Sequence, residues 1–176
     1  MNIMIVGVGG QGTLLASRIL GKVAIKEGYD VKVSEVHGMS QRGGSVVTYV
    51  KYGDKVYSPI IDRGEADLIL AFEMLEAMRA LPYLKKGGKM IANTQKMNPM
   101  PVITGAMEYP ENIEEKLSAK INLQAVDALS LAEKAGTIKA VNVVLIGLLA
   151  KSMDVDKNVW IDVIKETVPE KFLDVN

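Results

Sequence analysis

The stretch Asn2–Thr13, NIMIVGVGGQGT, decides the fold. After Asn2, the residues through Val8 are apolar and largely β-branched, which is typical of a strand buried on both faces. Gly7, Gly9 and Gly12 follow with the spacing G-x-G-x-x-G. Next comes an apolar stripe of helical period that ends at Glu27–Gly28. The stretch predicts the strand, tight turn and helix that open a Rossmann-like sheet.

The next part of the chain breaks the usual dinucleotide-domain path. Asp30–Val36 predicts a second strand, but only eight residues separate Val36 from Ser45. A helical crossover to a parallel neighbour needs about a dozen. The alternating run SVVTYVKY then leads through Gly53–Asp54 into Lys55–Ile60, which predicts a hairpin with a two-residue turn. We therefore predict an α/β, Rossmann-like, three-layer fold whose mainly parallel sheet carries an antiparallel hairpin.

The remaining elements alternate between strand and helix. Apolar runs predict strands at 66–72, 87–94 and 120–126, and helical periodicity predicts helices at 73–84, 127–136, 139–153 and 157–168. Asp127 is the expected N-cap and Gly136 the expected end of the second of these helices. The third is apolar on nearly all sides, so we expect it to be buried. With 176 residues, 48% of them apolar, the chain is predicted to form a single domain over residues 1–176.

Composition excludes several classes of protein and site. The 21 basic and 21 acidic residues cancel, which disfavours nucleic acid or an anionic membrane as partner. The longest apolar run is too short to span a bilayer and the first residues lack a basic n-region, so we expect a soluble, cytoplasmic protein. Cysteine is absent and there is one histidine, which leaves too few ligands for an iron–sulfur cluster or a transition-metal site.

The glycine turn has three interpretations. Its residues Gly7, Gly9, Gly10, Gln11 and Gly12 are candidate ligand or interface residues, because a glycine turn before a helix leaves N–H groups free for an anion. A nucleotide-binding module is the second interpretation, with Glu35 holding a ribose hydroxyl as in nicotinamide-dependent reductases. The third is a turn that serves only close packing of helix and strand. A triphosphate-binding P-loop is disfavoured because Thr13 stands where that motif has lysine.

A second candidate segment is HGMSQRGG, which follows the second strand. Its residues His37, Ser40, Gln41, Arg42, Gly43 and Gly44 are further candidate ligand or interface residues. No serine and acid at recognisable spacing support a triad, so no catalytic role is assigned to the histidine. The arginine could clamp a phosphate or carboxylate, or form an interface salt bridge. We predict that this segment and the glycine turn form one shared surface at the carboxyl edge of the sheet.

At these residues the sequence resembles a known family. GVGGQGTLLASRIL, EVHGMSQRGGSVVTYVKYG, SPIIDRGEADLILAFEMLEAMRALPYL and VDALSLAEKAGTIKAVNVVLIGLLAK together resemble the small, γ-type subunits of the 2-oxoacid:ferredoxin oxidoreductases. The resemblance spans nearly the whole chain and is closest to the β subunits of the indolepyruvate branch. The pyruvate and 2-oxoglutarate branches usually carry a tyrosine-glycine-proline-acidic version before the same Arg-Gly-Gly. The segment HGMSQRGG therefore favours an arylpyruvate substrate.

The resemblance implies an enzyme divided between chains. Thiamine diphosphate with Mg²⁺ and 4Fe–4S clusters are expected on a large α subunit, with coenzyme A as co-substrate and ferredoxin as acceptor through the complex. The Gly-Asp-Gly signature of thiamine sites is missing here, since Gly53–Asp54 continues with Lys55. The isolated chain is therefore expected to be inactive, and it could pair with a copy of itself. Members of the family usually continue beyond Glu170–Asn176 into a final apolar segment, so either the chain is truncated or that tail is absent.

Overall fold

The computed structural model describes residues 1–38 and 43–175. Within them lie the strands β1 (Asn2–Val8), β2 (Asp30–His37), β3 (Ser45–Gly53), β4 (Ala66–Ala71), β5 (Leu84–Asn93) and β6 (Asn122–Val126). The helices are α1 (Thr13–Lys26), α2 (Met74–Ala80), α3 (Met100–Ile103), α4 (Ile113–Ser118), α5 (Ala128–Lys134), α6 (Val141–Ala150) and α7 (Lys157–Thr167). A turn of 3₁₀ helix at Ile138–Ala140 leads into α6.

The strands form one sheet in the order β2-β3-β1-β4-β5-β6. β3 runs antiparallel to both of its neighbours, β1 and β2, while β1, β4, β5 and β6 are parallel to one another. The short connection between β2 and β3 explains this arrangement, because it can reverse the chain but cannot hold a crossover helix. The prediction of a mainly parallel, three-layer sheet with an antiparallel insertion is confirmed.

The predicted hairpin is wrong in its second strand, since Lys55–Ile60 is not a strand. β3 has β1 hydrogen-bonded along one edge and β2 along the other, so neither edge can accept a further strand. Gly53 is the last residue of β3 instead of the first residue of a tight turn. The Val56 N–H donates to the Asp30 carboxylate at 2.9 Å, which fixes the segment beside the start of β2. The antiparallel pair in this fold is therefore β2 with β3.

The sheet is covered by helices on both faces. In β1, Ile3 and Ile5 belong to the core beneath α1, α5, α6 and α7, whereas Met4 and Val6 belong to the core beneath α2 and α4. All four side chains are at most 2% exposed, and burying each contributes about 1.5–3 kcal/mol. The alternation along β1 explains why the strand is apolar at every position of this run. Its carboxyl end, and with it the glycine turn, is held between two packed layers.

The helices largely follow the predicted apolar patterns. Asp127 caps α5 by accepting the Ser130 N–H at 3.0 Å, and Gly136 follows with a φ of +109°. α6 is less enclosed than predicted, because Gly147 on its outer side is exposed. The short helices α3 and α4 were not predicted. Within residues 1–38 and 43–175, no helix is both long enough and apolar enough to cross a bilayer.

Candidate functional site

Glycines shape the turn that joins β1 to α1. Gly10 and Gly12 have φ values of +99° and +86°, a region that residues with a Cβ rarely adopt. A Cβ on Gly7 would lie 2.9 Å from the side-chain oxygen of Gln11 and 3.0 Å from the Phe72 Cβ, so a side chain there would displace its neighbours. Gly12 is the N-cap of α1, no side chain caps the helix and its first turn has no acidic residue. The N–H groups of this first turn are therefore open to an anion.

Gln11 holds the turn in place. Its Oε1 accepts the Val8 N–H at 2.8 Å, and its Nε2 donates to the Phe72 carbonyl and to Gln95 Oε1, both at 3.2 Å. The amide thus points beneath the turn and links the carboxyl end of β1 to those of β4 and β5. Because both amide hydrogens are used, the Gln11 side chain supports the turn and keeps no donor for a ligand.

The HGMSQRGG segment is described only at its two ends. Ser40, Gln41 and Arg42 lie outside the described residues, so the roles predicted for them stay predictions. At the far end of the segment, the Gly44 carbonyl accepts the Gly9 N–H at 2.9 Å. This hydrogen bond brings the described end of the segment against the glycine turn, as the predicted shared surface requires.

The other described residues of the segment lie at the same edge. His37 is exposed at the end of β2, with its Nδ1 3.1 Å from the Gly38 carbonyl oxygen, which fits a local hydrogen-bonding role. Gly43 has a φ of +77°, so the chain turns there through a conformation that favours glycine. These positions give the segment a defined entry from β2 and a defined exit into β3.

A cleft of about 420 Å³ opens between the glycine turn and the ends of β2 and β3. Glu35 lies in this cleft with the glycines, and its Oε2 accepts the Thr48 hydroxyl at 3.2 Å. The structure thus places the predicted ribose-binding carboxylate in the same cleft as the turn. The cleft is lined by Gly9, Gly10, Gly12, Thr13, Leu14, Glu35, His37 and Val46.

Two buried carboxylates at this edge were missed by the sequence analysis. Glu73 is 1% exposed, and its carboxylate accepts the Tyr109 hydroxyl at 2.6 Å, the Met97 N–H at 3.0 Å and the Glu76 N–H at 2.9 Å. Burial, followed by the hydrogen bond to Glu73, raises the pKa of the Tyr109 phenol. The sequence could have indicated Glu73, because it follows a predicted buried strand and functional polar groups gather at the carboxyl ends of parallel strands.

Glu76 connects the same network to the HGMSQRGG segment. It is 4% exposed, and its carboxylate accepts the Ser45 hydroxyl at 2.6 Å and Arg79 Nη1 at 2.7 Å. Ser45 directly follows Gly44, so the end of the segment is held from two sides, by α2 through Glu76 and by the glycine turn. A charged acceptor makes the serine bond stronger than one between neutral groups.

Comparison with known proteins gives a consistent family. The family described as pyruvate ferredoxin/flavodoxin oxidoreductase matches residues 2–176. Indolepyruvate oxidoreductase subunit IorB of Pyrococcus horikoshii is 46% identical over 181 residues, which cover 99% of this chain and 90% of that protein. The pyruvate/ketoisovalerate oxidoreductases common subunit gamma of Thermococcus litoralis is 28% identical over 169 residues, which cover 94% of this chain and 83% of that protein.

A solved structure shares the fold. Pyruvate oxidoreductase subunit PORC from Thermotoga maritima superimposes with a TM-score of 0.75, covering 99% of this chain and 89% of that one. The two sequences are 18% identical, so the likeness concerns the fold.

Proposed function

Because the chain belongs to the pyruvate ferredoxin/flavodoxin oxidoreductase family, we propose that it is the small subunit of an indolepyruvate-type 2-oxoacid:ferredoxin oxidoreductase. At the broader level, the chain is a subunit of a 2-oxoacid ferredoxin oxidoreductase and works with a larger partner subunit. The proposed reaction decarboxylates indolepyruvate or a related arylpyruvate, forms the acyl-coenzyme A and reduces ferredoxin. Residues 1–176 are proposed to act as one γ-type domain.

The observation that carries the substrate proposal is the difference in sequence identity between two branches. The chain is 46% identical to a protein named for indolepyruvate and 28% identical to one named for pyruvate and ketoisovalerate. The HGMSQRGG segment favours the same branch. The carbon chemistry is proposed to lie on the larger subunit, so this chain would affect the substrate only through the interface.

The proposed division of labour follows from the ligands that the chain offers. It has no cysteine and one histidine, and residues 1–38 and 43–175 contain no group of three histidine or acidic side chains suited to a metal ion. Iron–sulfur clusters do not fit this donor set, and the Gly-Asp-Gly signature of thiamine sites is missing from the sequence. We assign thiamine diphosphate, Mg²⁺ and the clusters to the larger subunit, where they would supply the decarboxylation and the electron path to ferredoxin.

The contribution proposed for this chain is a rigid surface at the carboxyl edge of the sheet. The glycine turn and the HGMSQRGG segment are joined through Gly9 and Gly44, and Glu76 fixes the exit of the segment through Ser45. On this surface Arg42 is proposed to pair with a phosphate of coenzyme A or with a carboxylate of the larger subunit.

The test is reconstitution with the larger subunit. The complex should turn over indolepyruvate with a kcat/KM at least about tenfold above that for pyruvate or 2-oxoglutarate, a difference of about 1.4 kcal/mol in transition-state stabilisation. The isolated chain should show no turnover and no visible cofactor absorption. Turnover of indolepyruvate by the 176-residue chain alone would contradict the division of labour. A preference for pyruvate or 2-oxoglutarate would contradict the substrate proposal.

One observation favours a second candidate, a stand-alone nucleotide-binding reductase or sensing module. Glu35 shares the 420 Å³ cleft with Gly9, Gly10 and Gly12, as a ribose-binding carboxylate would. This candidate predicts saturable binding of NAD(H) or NADP(H), with a melting temperature that rises as ligand exceeds its dissociation constant. We expect no such shift, because the crossover helix of a dinucleotide domain is replaced here by the antiparallel β3.

A further inference from the structure

A cleft of about 450 Å³ opens at the amino edge of the sheet, at the opposite end of the strands from the glycine turn. It lies between the start of β5 and the loop that leads from α4 into β6. Leu84 and Ile121 form part of its apolar lining. Lys85, Lys86 and Lys120 also line it, and none of the described residues that line it is acidic.

Two of the three lysines lie in a bulge of β5. Between two of its pairs with β4, the strand places the four residues Lys85–Gly88 opposite the single residue Asp67. Gly87 has a φ of +80°, and a Cβ on Gly88 would lie 3.0 Å from the carbonyl oxygens of Asp67 and Lys85. The bulge therefore depends on its glycines. Bulges redirect side chains out of the regular ladder, and this one leaves Lys85 and Lys86 exposed at the cleft.

The charge of the cleft is only partly compensated. The Asp67 carboxylate accepts Lys85 Nζ at 2.6 Å and the Asn2 N–H at 2.8 Å, so this acid is already engaged. Lys86 and Lys120 are exposed, and neither forms an ion pair with a described residue. Lysines from two separate segments thus give this cleft a positive potential, although the net charge of the whole chain is zero.

The composition of the cleft suits a protein surface better than a small anion. Phosphate sites usually gather arginine forks or backbone N–H groups, and the described lining has no arginine. Half-buried Leu84 and Ile121 lie among exposed lysines, which is the pattern of an interface with an apolar centre and a charged rim. A second copy of this chain is disfavoured here, because a two-fold contact through the cleft would bring its lysines against one another.

We propose that this cleft docks an acidic segment of the larger subunit, with Lys86 and Lys120 pairing with its carboxylates and with Leu84 and Ile121 beneath its apolar side chains. The inference rests on the proposed function and deepens it, because that function places contacts only at the carboxyl edge of the sheet. An electron acceptor is a less suitable occupant. It must approach the clusters, which are assigned to the larger subunit because this chain has no cysteine.

Charge reversal tests the docking site. Binding of the chain to the larger subunit, purified with its cofactors, is followed by biolayer interferometry. The double variant Lys86→Glu/Lys120→Glu should raise the dissociation constant at least about tenfold at about 0.1 M ionic strength, mainly through slower association. At about 1 M ionic strength the difference from the native chain should shrink, because salt screens exposed charges.

A matched control separates the cleft from net charge. Lys134→Glu/Lys165→Glu makes the same change in net charge at two exposed lysines of α5 and α7. These helices cover the other face of the sheet, whereas Leu84 and Ile121 pack against the core beneath α2 and α4. The control should bind within about twofold of the native chain. The urea midpoint of each variant reports whether it is folded.

Cross-linking identifies the occupant directly. A carbodiimide joins an amine to a carboxylate that it contacts, so the native complex should yield a link from Lys86 or Lys120 to an acidic residue of the larger subunit. Links from these lysines to a second copy of the chain would overturn the proposal. Assembly that the cleft variant and the control weaken equally, or that neither weakens, would overturn the docking site and leave the proposed function standing. A native chain that does not bind the larger subunit at all would overturn both.

Discussion

Replacing Gly12 with alanine should destabilise the protein more than the same replacement at Gly10, although only one residue separates them. Both glycines have a positive φ, which costs an L residue about 1–2 kcal/mol. At Gly10 a new Cβ would meet nothing within 4 Å. At Gly12 it would lie 2.8 Å from Asn142 Nδ2, closer than a Cβ contact allows. The amide must turn away and lose the hydrogen bond that its Oδ1 accepts from the Val143 N–H, a further loss of about 0.5–1.5 kcal/mol.

The expected decrease in the free energy of unfolding is therefore about 1–2 kcal/mol for Gly10→Ala and about 1.5–3.5 kcal/mol for Gly12→Ala. Urea unfolding followed by circular dichroism measures both decreases, provided that the slope of the free energy of unfolding against urea concentration is the same in each variant. In an Asn142→Ala background the close contact disappears, so Gly12→Ala should then destabilise no more than Gly10→Ala does. Equal losses in the native background, or a Gly12→Ala loss that Asn142→Ala does not reduce, would refute the reasoning.

Four further predictions follow from other parts of the structure. Gly7→Ala should lower the free energy of unfolding by about 1–3 kcal/mol, since its Cβ would meet a side-chain oxygen at 2.9 Å, whereas Gly53→Ala, with open space around it, should change the urea midpoint little. Glu73→Ala leaves three donors without their carboxylate and should cost at least about 3 kcal/mol in the same assay; a loss below about 1 kcal/mol would contradict the network. Burial raises the pKa of Tyr52 from 10.0 to about 12, so the folded protein holds this proton more tightly than the unfolded chain. Stability should fall as pH rises from 10 to 12, and Tyr52→Phe should lessen that fall. Arg42→Ala should change the stability of the isolated chain by less than about 1 kcal/mol, but it should weaken assembly with the larger subunit or raise the coenzyme A requirement of the complex. If neither assembly nor the coenzyme A requirement changes, the HGMSQRGG segment only connects β2 to β3 and has no binding role.

The sequence predicted those features that depend on neighbouring residues. The apolar run of β1, the glycine spacing and the helical stripe of α1 are local, and the structure has each of them. The antiparallel insertion also followed from a local quantity, the eight residues between Val36 and Ser45. The number of residues between two strands limits whether they can be joined by a crossover helix, and this limit does not depend on the rest of the protein.

Features that depend on distant residues were not predictable in this way. Residues 55–60 have strand-like composition, but the edge they would need is occupied by β1, whose residues are about fifty positions earlier. Asn142 lies inside an apolar run, and only the packing of α6 against the turn shows that its amide faces Gly12. Glu73 and Glu76 are two acids among many until the fold brings Tyr109 and Ser45 to them.

The position of β3 also governs the order in which the chain can be assembled. β1 and β2 share no ladder, since β3 lies between them, and the other neighbour of β1 is β4. During synthesis, β1, α1 and β2 therefore leave the ribosome before any sheet can form, because β3, which ends at residue 53, must follow before β1 and β2 have a strand to pair with. The nearby ends of β2 and β3 then close a short loop at little entropic cost, and β1 can dock onto their free edge. Three strands with α1 across one face are the smallest piece of this protein that could hold together during synthesis.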